Sequence, residues 1–74
     1  MATILVIDDD TQICDLLQHV LEEEGHVVHS ALNGVEGIRQ YRQYLPELVF
    51  IDILMPEKEG LETILDLRRE YPNV

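Results

Sequence analysis

Ile4-Leu5-Val6-Ile7-Asp8-Asp9-Asp10 decides how this chain folds: an unbroken apolar run rich in β-branched residues enters three carboxylates. A continuous run of this kind suits a strand buried on both faces of a parallel sheet, because a half-exposed strand alternates apolar with polar residues. The acids then stand where the strand leaves the sheet. Leu48-Val49-Phe50-Ile51 repeats the character of the first run, and it too ends in an acid, Asp52.

The stretches between and after these runs carry helical spacing. Ile13, Leu16, Leu17, Val20 and Leu21 fall on one helix face, with Asp10 or Thr11 to cap its start and Gly25 to end it. Cys14 shares a face with Leu17 and Leu21 and reads as a small buried hydrophobe. Val27-Val28, flanked by His26 and His29, forms a shorter strand. Asn33-Gly34 then turns into a second helix bearing Val35, Ile38, Tyr41 and Leu45, which Pro46 stops. Beyond Asp52, Pro56 and Gly60 punctuate a loop, and Leu61, Ile64 and Leu65 open a third helix that ends before Pro72.

The resulting order is β-α-β-α-β-α, and connections of this length imply parallel strands joined by right-handed crossovers. We expect a doubly wound α/β sheet in strand order 2-1-3, with helix one on one side and helices two and three on the other. Strand three is left with an unpaired apolar edge. Such an edge invites pairing, so the expectation is a homodimer joined across it, or a longer chain of which these residues are a part.

Seventy-four residues allow one domain at most, and a hydrophobic content of 46% calls for a packed core rather than a disordered acidic tail. Fifteen Asp and Glu against five Lys and Arg give a formal charge of −10. That balance argues against a nucleic-acid or anionic-membrane binder, which needs clustered cations, whereas Arg39, Arg42, Lys58, Arg68 and Arg69 are scattered. A single cysteine forms no intrachain disulfide, and the N-terminus lacks both the basic flank and the apolar length of a signal peptide or membrane span. A cytoplasmic location is expected.

In open α/β sheets the crevice at the carboxyl ends of the strands takes the ligand, and both acidic strand ends point there. Neighbouring strands lie ~4.8 Å apart, so Asp8-Asp9-Asp10 and Asp52 are expected to converge. Two carboxylates at 4 Å repel by about 4 kcal/mol even at an effective dielectric of 20, so something must compensate. A hard divalent cation suits an all-oxygen site with few protein ligands, and Mg2+ keeps waters and recruits phosphate oxygens. A carboxylate beside it can act as a nucleophile and form an acyl phosphate. No glycine-rich phosphate loop, Ser-His-Asp set or Cys/His zinc spacing competes. His26 and His29, three apart in a strand, are expected on opposite faces, and Glu22-Glu23-Glu24 reads as a solvated face.

These residues resemble the receiver domain of bacterial two-component response regulators. The resemblance rests on the apolar strand entering an acidic pair (Ile4 to Asp9), the second strand entering Asp52, and Met55-Pro56 with Gly60, so that Asp52 to Gly60 reads D-x-x-M-P-x-x-x-G. Asn33-Gly34 before the second helix also fits. The resemblance implies a flavodoxin-like fold truncated to about three of five βα units, with residues 1–74 as the N-terminal portion of the domain. It implies that Asp52 is the phosphoacceptor for a phosphohistidine on a sensor histidine kinase or histidine phosphotransfer protein. It implies further that Mg2+ is held directly by Asp9 and Asp52, through water by Asp8, and by the backbone carbonyl of Leu54. Asp10 aligns outside the acidic pair and is assigned to capping. The family's switch residues, a Ser or Thr ending strand four and a Lys ending strand five, have no counterpart in this sequence, so impaired phosphorylation is expected of these residues alone.

Two other classes stay open at the level of sequence. A haloacid-dehalogenase-like phosphatase also places a nucleophilic Asp after an apolar strand, in a D-x-D-x-[TV] pattern. Asp8 and Asp10 fit it, but Gln12 takes its last position and Asp52 goes unexplained. The other class is an interaction module with the same fold and no phosphorylation.

Overall fold

The computed structural model of the chain describes residues 1–53 and 60–72. Six elements alternate: β1 (Thr3–Ile7), α1 (Thr11–Glu23), β2 (Val27–Ala31), α2 (Gly34–Tyr44), β3 (Leu48–Ile51) and α3 (Gly60–Glu70). The strands form one parallel sheet in the order β2-β1-β3, with Ile4 opposite Val28 and Leu48, and Ile7 opposite Ala31 and Ile51. The expected topology is the observed one.

Alternation along β1 sends successive side chains to opposite faces and so builds two cores. Leu5 and Ile7 pack with Ala31, Tyr41 and Leu67 beneath α2 and α3, while Ile4 and Val6 pack with Cys14 and Val28 beneath α1. Each large side chain fully buried in this way contributes roughly 1.5–3 kcal/mol. Helix α2 comes close to β1 because Gly37 has no side chain: a Cβ there would overlap the end of Ile7.

Several sequence expectations shift in detail. On α1 the line that enters the core is Cys14, Leu17 and Leu21, whereas Ile13, Leu16 and Val20 remain 39–58% exposed. The apolar stripe is wider than the sheet beneath it. Leu45 is not part of the second helix's apolar face; it is the left-handed C-cap of α2 (φ 45), and it is exposed. The cause is Pro46, whose ring disfavours helical geometry in the residue before it. On α3, Leu61 and Leu65 face outward, and the buried positions are Gly60, Thr63 and Leu67. Strand β3 is not buried on both faces as β1 is, because Leu48 and Phe50 are 47% and 41% exposed. Strand β2 runs on to Ala31, and His26 lies before it.

Candidate acidic metal site

Both acidic strand ends are fixed by hydrogen bonds that continue the sheet one residue past the strands. The Asp8 N–H donates to the Ala31 carbonyl at 3.0 Å, and the Asp52 N–H donates to the Ile7 carbonyl at 2.9 Å. The two residues therefore sit side by side at the carboxyl rim. Between β1 and α1 the backbone turns sharply, and the Asp8 carboxylate accepts from the Asp10 N–H at 2.9 Å. Asp10 in turn caps α1, accepting from the N–H groups of Gln12 (2.9 Å) and Ile13 (3.4 Å). This is the role expected of it, and it leaves Asp8 and Asp9 as the acids of the rim.

Asp8, Asp9 and Asp52 each offer a carboxylate oxygen, and the three oxygens lie within 4.8 Å of one another; Asp8 and Asp52 are half-buried and Asp9 is exposed. At that spacing each pair of charges repels by roughly 3 kcal/mol at an effective dielectric of 20. A hard cation bound at ~2.1 Å brings neighbouring ligand oxygens to ~3 Å from one another, a change within reach of small side-chain rotations. The donor set is all oxygen, so the residues fit Mg2+ or another hard divalent ion. Three arginines are engaged elsewhere, Arg39 with Glu36, Arg42 with Glu70 and Arg69 with Asp66. An open cleft of ≈ 270 Å³ extends from Asp8 and Asp52 along the α1 side of β3, with Leu17 and Phe50 among its walls.

Gly60 explains one part of the spacing after Asp52. A Cβ at this first residue of α3 would overlap the backbone oxygen of Asp52 and the Cα of Ile53, so only glycine lets the helix start against the segment that leaves the site. Leu54, whose carbonyl completes the expected ligand set, lies outside the described residues, as do Met55, Pro56 and Lys58.

The histidines are placed away from the acids. The Ala2 N–H donates to Nδ1 of His26 at 3.0 Å, and His29 stacks on Tyr44 with ring centroids 3.7 Å apart. Sequence reading missed one contact of the site: Cys14, expected to act only as core filler, points its sulfur at the Asp8 carbonyl, with Sγ 3.3 Å from the oxygen. Burial and the nearby Asp8 charge push this thiol above its ordinary value, which keeps it protonated and able to donate.

A family model for the response regulator receiver domain matches residues 4–74. The chain belongs to the response regulator receiver family. This receiver chain is 38% identical over 65 residues to the chemotaxis protein CheY of Halobacterium salinarum, a match covering 88% of this chain and 54% of that protein. Among solved structures, the N-terminal receiver domain of a Methanoculleus marisnigri response regulator superposes with a TM-score of 0.93 at 32% identity, over 96% of this chain and 58% of that one. The response regulator TrrA of Thermotoga maritima, solved with Mg2+ and beryllofluoride, gives a TM-score of 0.91 at 38% identity, over 97% and 63% of the two chains. TrrA in complex with the histidine kinase ThkA gives 0.92 at 36% identity, over 100% and 64%. The receiver chain thus spans about half to two thirds of the length of these relatives. Among its described residues, no helix is long and apolar enough to cross a membrane.

Proposed function

We propose that this chain is the N-terminal portion, residues 1–74, of a cytoplasmic receiver domain in which Asp52 accepts a phosphoryl group. The observation that carries the reading is the meeting of three carboxylates, from the ends of two adjacent strands, within 4.8 Å. Asp9 and Asp52 are read as direct ligands of Mg2+, Asp8 as a ligand through water, and the Leu54 carbonyl as the remaining protein ligand. Held there, the cation would offset the clustered negative charge and pair with oxygens of the arriving phosphoryl group. An Asp52 carboxylate oxygen attacks phosphorus, the phosphorus–nitrogen bond of a phosphohistidine breaks, and the departing imidazole nitrogen takes up a proton. The product is an acyl phosphate on Asp52. The phosphoryl donor is read as a sensor histidine kinase or phosphotransfer protein, by analogy with the TrrA–ThkA complex. The chain is a phosphoacceptor in this reading and not a turnover enzyme.

The phosphatase pattern is less well supported, because its second acid, Asp10, is engaged at the start of α1. Phosphorylation of residues 1–74 alone is read as impaired, since the sequence holds no counterpart of the switch Ser or Thr and Lys. The outer edge of β3, which no described strand covers, is read as the place where a second copy or further chain adds a strand. Velocity sedimentation of the 74-residue chain is expected to show a dimer, and a monodisperse monomer removes the second copy.

Titrating the intact protein with beryllofluoride and Mg2+ tests the central reading. Saturable binding that Asp52→Ala abolishes is the expected result. Binding that survives in Asp52→Ala and disappears in Asp8→Asn transfers the nucleophile to Asp8 and overturns it.

A further inference from the structure

We infer that Cys14 is a positioning residue for the acidic site: its thiol fixes the peptide between Asp8 and Asp9, and so sets the direction from which the Asp9 carboxylate reaches toward Asp52. The inference rests on the divalent-cation reading given above and goes beyond it in assigning a role to a side chain that offers the ion no ligand.

The sheet stops holding the chain just past the end of β1. After the Asp8 N–H bond to Ala31, no further ladder bond among the described residues restrains the segment leading to α1. The carbonyl oxygen of Asp8 and the nitrogen of Asp9 belong to the same planar peptide unit, so whatever holds that oxygen also fixes the exit of Asp9. Cys14 holds it, with Sγ 3.3 Å from the Asp8 oxygen. The Cys14 backbone N–H also donates to the Asp10 carbonyl at 3.1 Å, so a single residue of α1 grips the acidic segment at two points. The grip is firm because Cys14 is only 3% exposed and is packed with Ile4, Val6 and Val28. Outer groups that orient metal ligands by hydrogen bonding are a recurrent part of metal sites.

Cysteine and valine are close in volume, but valine cannot donate. Serine can donate but places a hydroxyl in an apolar pocket. The two variants therefore separate positioning from packing. In the intact protein, Cys14→Val is expected to weaken Mg2+ binding by roughly three- to tenfold, at or below the lower bound of about tenfold for outer groups that orient ligands, because S–H is a weak donor. Cys14→Ser is expected to bind Mg2+ within about twofold of the parent while its metal-free Tm falls further than that of the valine variant. Calorimetric titration with Mg2+ gives the affinities, and metal-free melting gives the stabilities. Cys14→Ala keeps the test available if valine distorts the start of α1. An independent readout is the infrared S–H stretch of Cys14, isolated as the difference between the parent and Cys14→Ser. It is expected at the frequency of a hydrogen-bonded thiol and to move as Mg2+ is added. Mg2+ affinity unchanged in both the valine and alanine variants, a serine variant as weak as valine, or a stretch insensitive to Mg2+ would each overturn the inference. A parent protein that shows no saturable Mg2+ binding overturns the metal reading itself, a result distinct from a parent that binds and a valine variant that binds equally well.

Discussion

Strands β1 and β3 are spelled almost alike, each with four apolar residues running into aspartate, yet they live in different surroundings. No residue from Ile4 to Ile7 is more than 2% exposed, whereas Leu48 and Phe50, the register partners of Ile4 and Val6, are 47% and 41% exposed. Local composition is the same. Strand β1 has a neighbour on each side and helices over both faces, while β3 has β1 on one side and no described strand on the other. An apolar run thus states a demand for burial, and position in the sheet decides how fully this chain meets it. The acidic ends do not share the asymmetry, because a one-residue extension of each hydrogen-bond ladder brings Asp8 and Asp52 to the same rim.

The largest expected effect tests this contrast directly. Ile4→Ala should lower the unfolding free energy by roughly 2–5 kcal/mol in urea titration, as buried isoleucine truncations do. Its partner substitution Leu48→Ala should cost below about 1 kcal/mol in the 74-residue chain, where the side chain is half in water. Equal losses would show that β3 is as fully buried in solution as β1. A longer chain that covers β3 should raise the Leu48 loss toward that of Ile4.

Next come the two glycines that let helices approach the strands. Gly60→Ala should destabilise by roughly 1–3 kcal/mol, because the new Cβ meets the backbone of Asp52 and Ile53, which has little room to yield. Gly37→Ala meets the end of the Ile7 side chain instead and should cost about 1 kcal/mol, since a side chain can shift its rotamer. Urea titration of both variants checks the ranking, and the reverse order would show that the β1 side is the less forgiving.

Asp10→Ala should cost about 1 kcal/mol through loss of the α1 cap, with the far-ultraviolet signal and the urea midpoint as readouts. The Asp8 carboxylate keeps its backbone donor at residue 10 in that variant, so Mg2+ affinity is expected to change little.

The smallest effect is electrostatic. Arg42 holds Glu70 in a two-pronged pair that ties α2 to α3, and the guanidinium lowers the Glu70 carboxyl below its ordinary value of 4.5. A carboxyl lowered in the folded state contributes stability that is present above 4.5 and is lost as pH falls through the folded value. Acid titration of Glu70→Gln should therefore show a slightly flatter loss of stability below pH 4.5 than the parent. An identical profile would mean that solvent screens the pair completely.

Most of the candidate site was legible because acids at strand ends are a one-dimensional pattern: Asp8, Asp9 and Asp52 each follow an apolar run, and Asp10 precedes a helical period. The phases of the helices were harder to read. Ile13, Leu16, Val20, Leu61 and Leu65 are apolar and exposed, while Thr63 is fully buried, so hydropathy alone does not show which line of α3 faces the core. The Cys14 contact was hidden for a different reason. It joins residues six apart across a turn, where neither helix nor strand periodicity applies.

What the amino-acid order determined by itself was the alternation of strands and helices, the parallel sheet and the identity of the acids, because hydrophobic period, caps and chain reversals are all local. Tertiary structure alone decided which apolar faces are covered, where Leu45 leaves its helix and what the thiol of Cys14 touches. Those outcomes depend on distances between segments far apart in the chain, set only once the sheet and its helices pack.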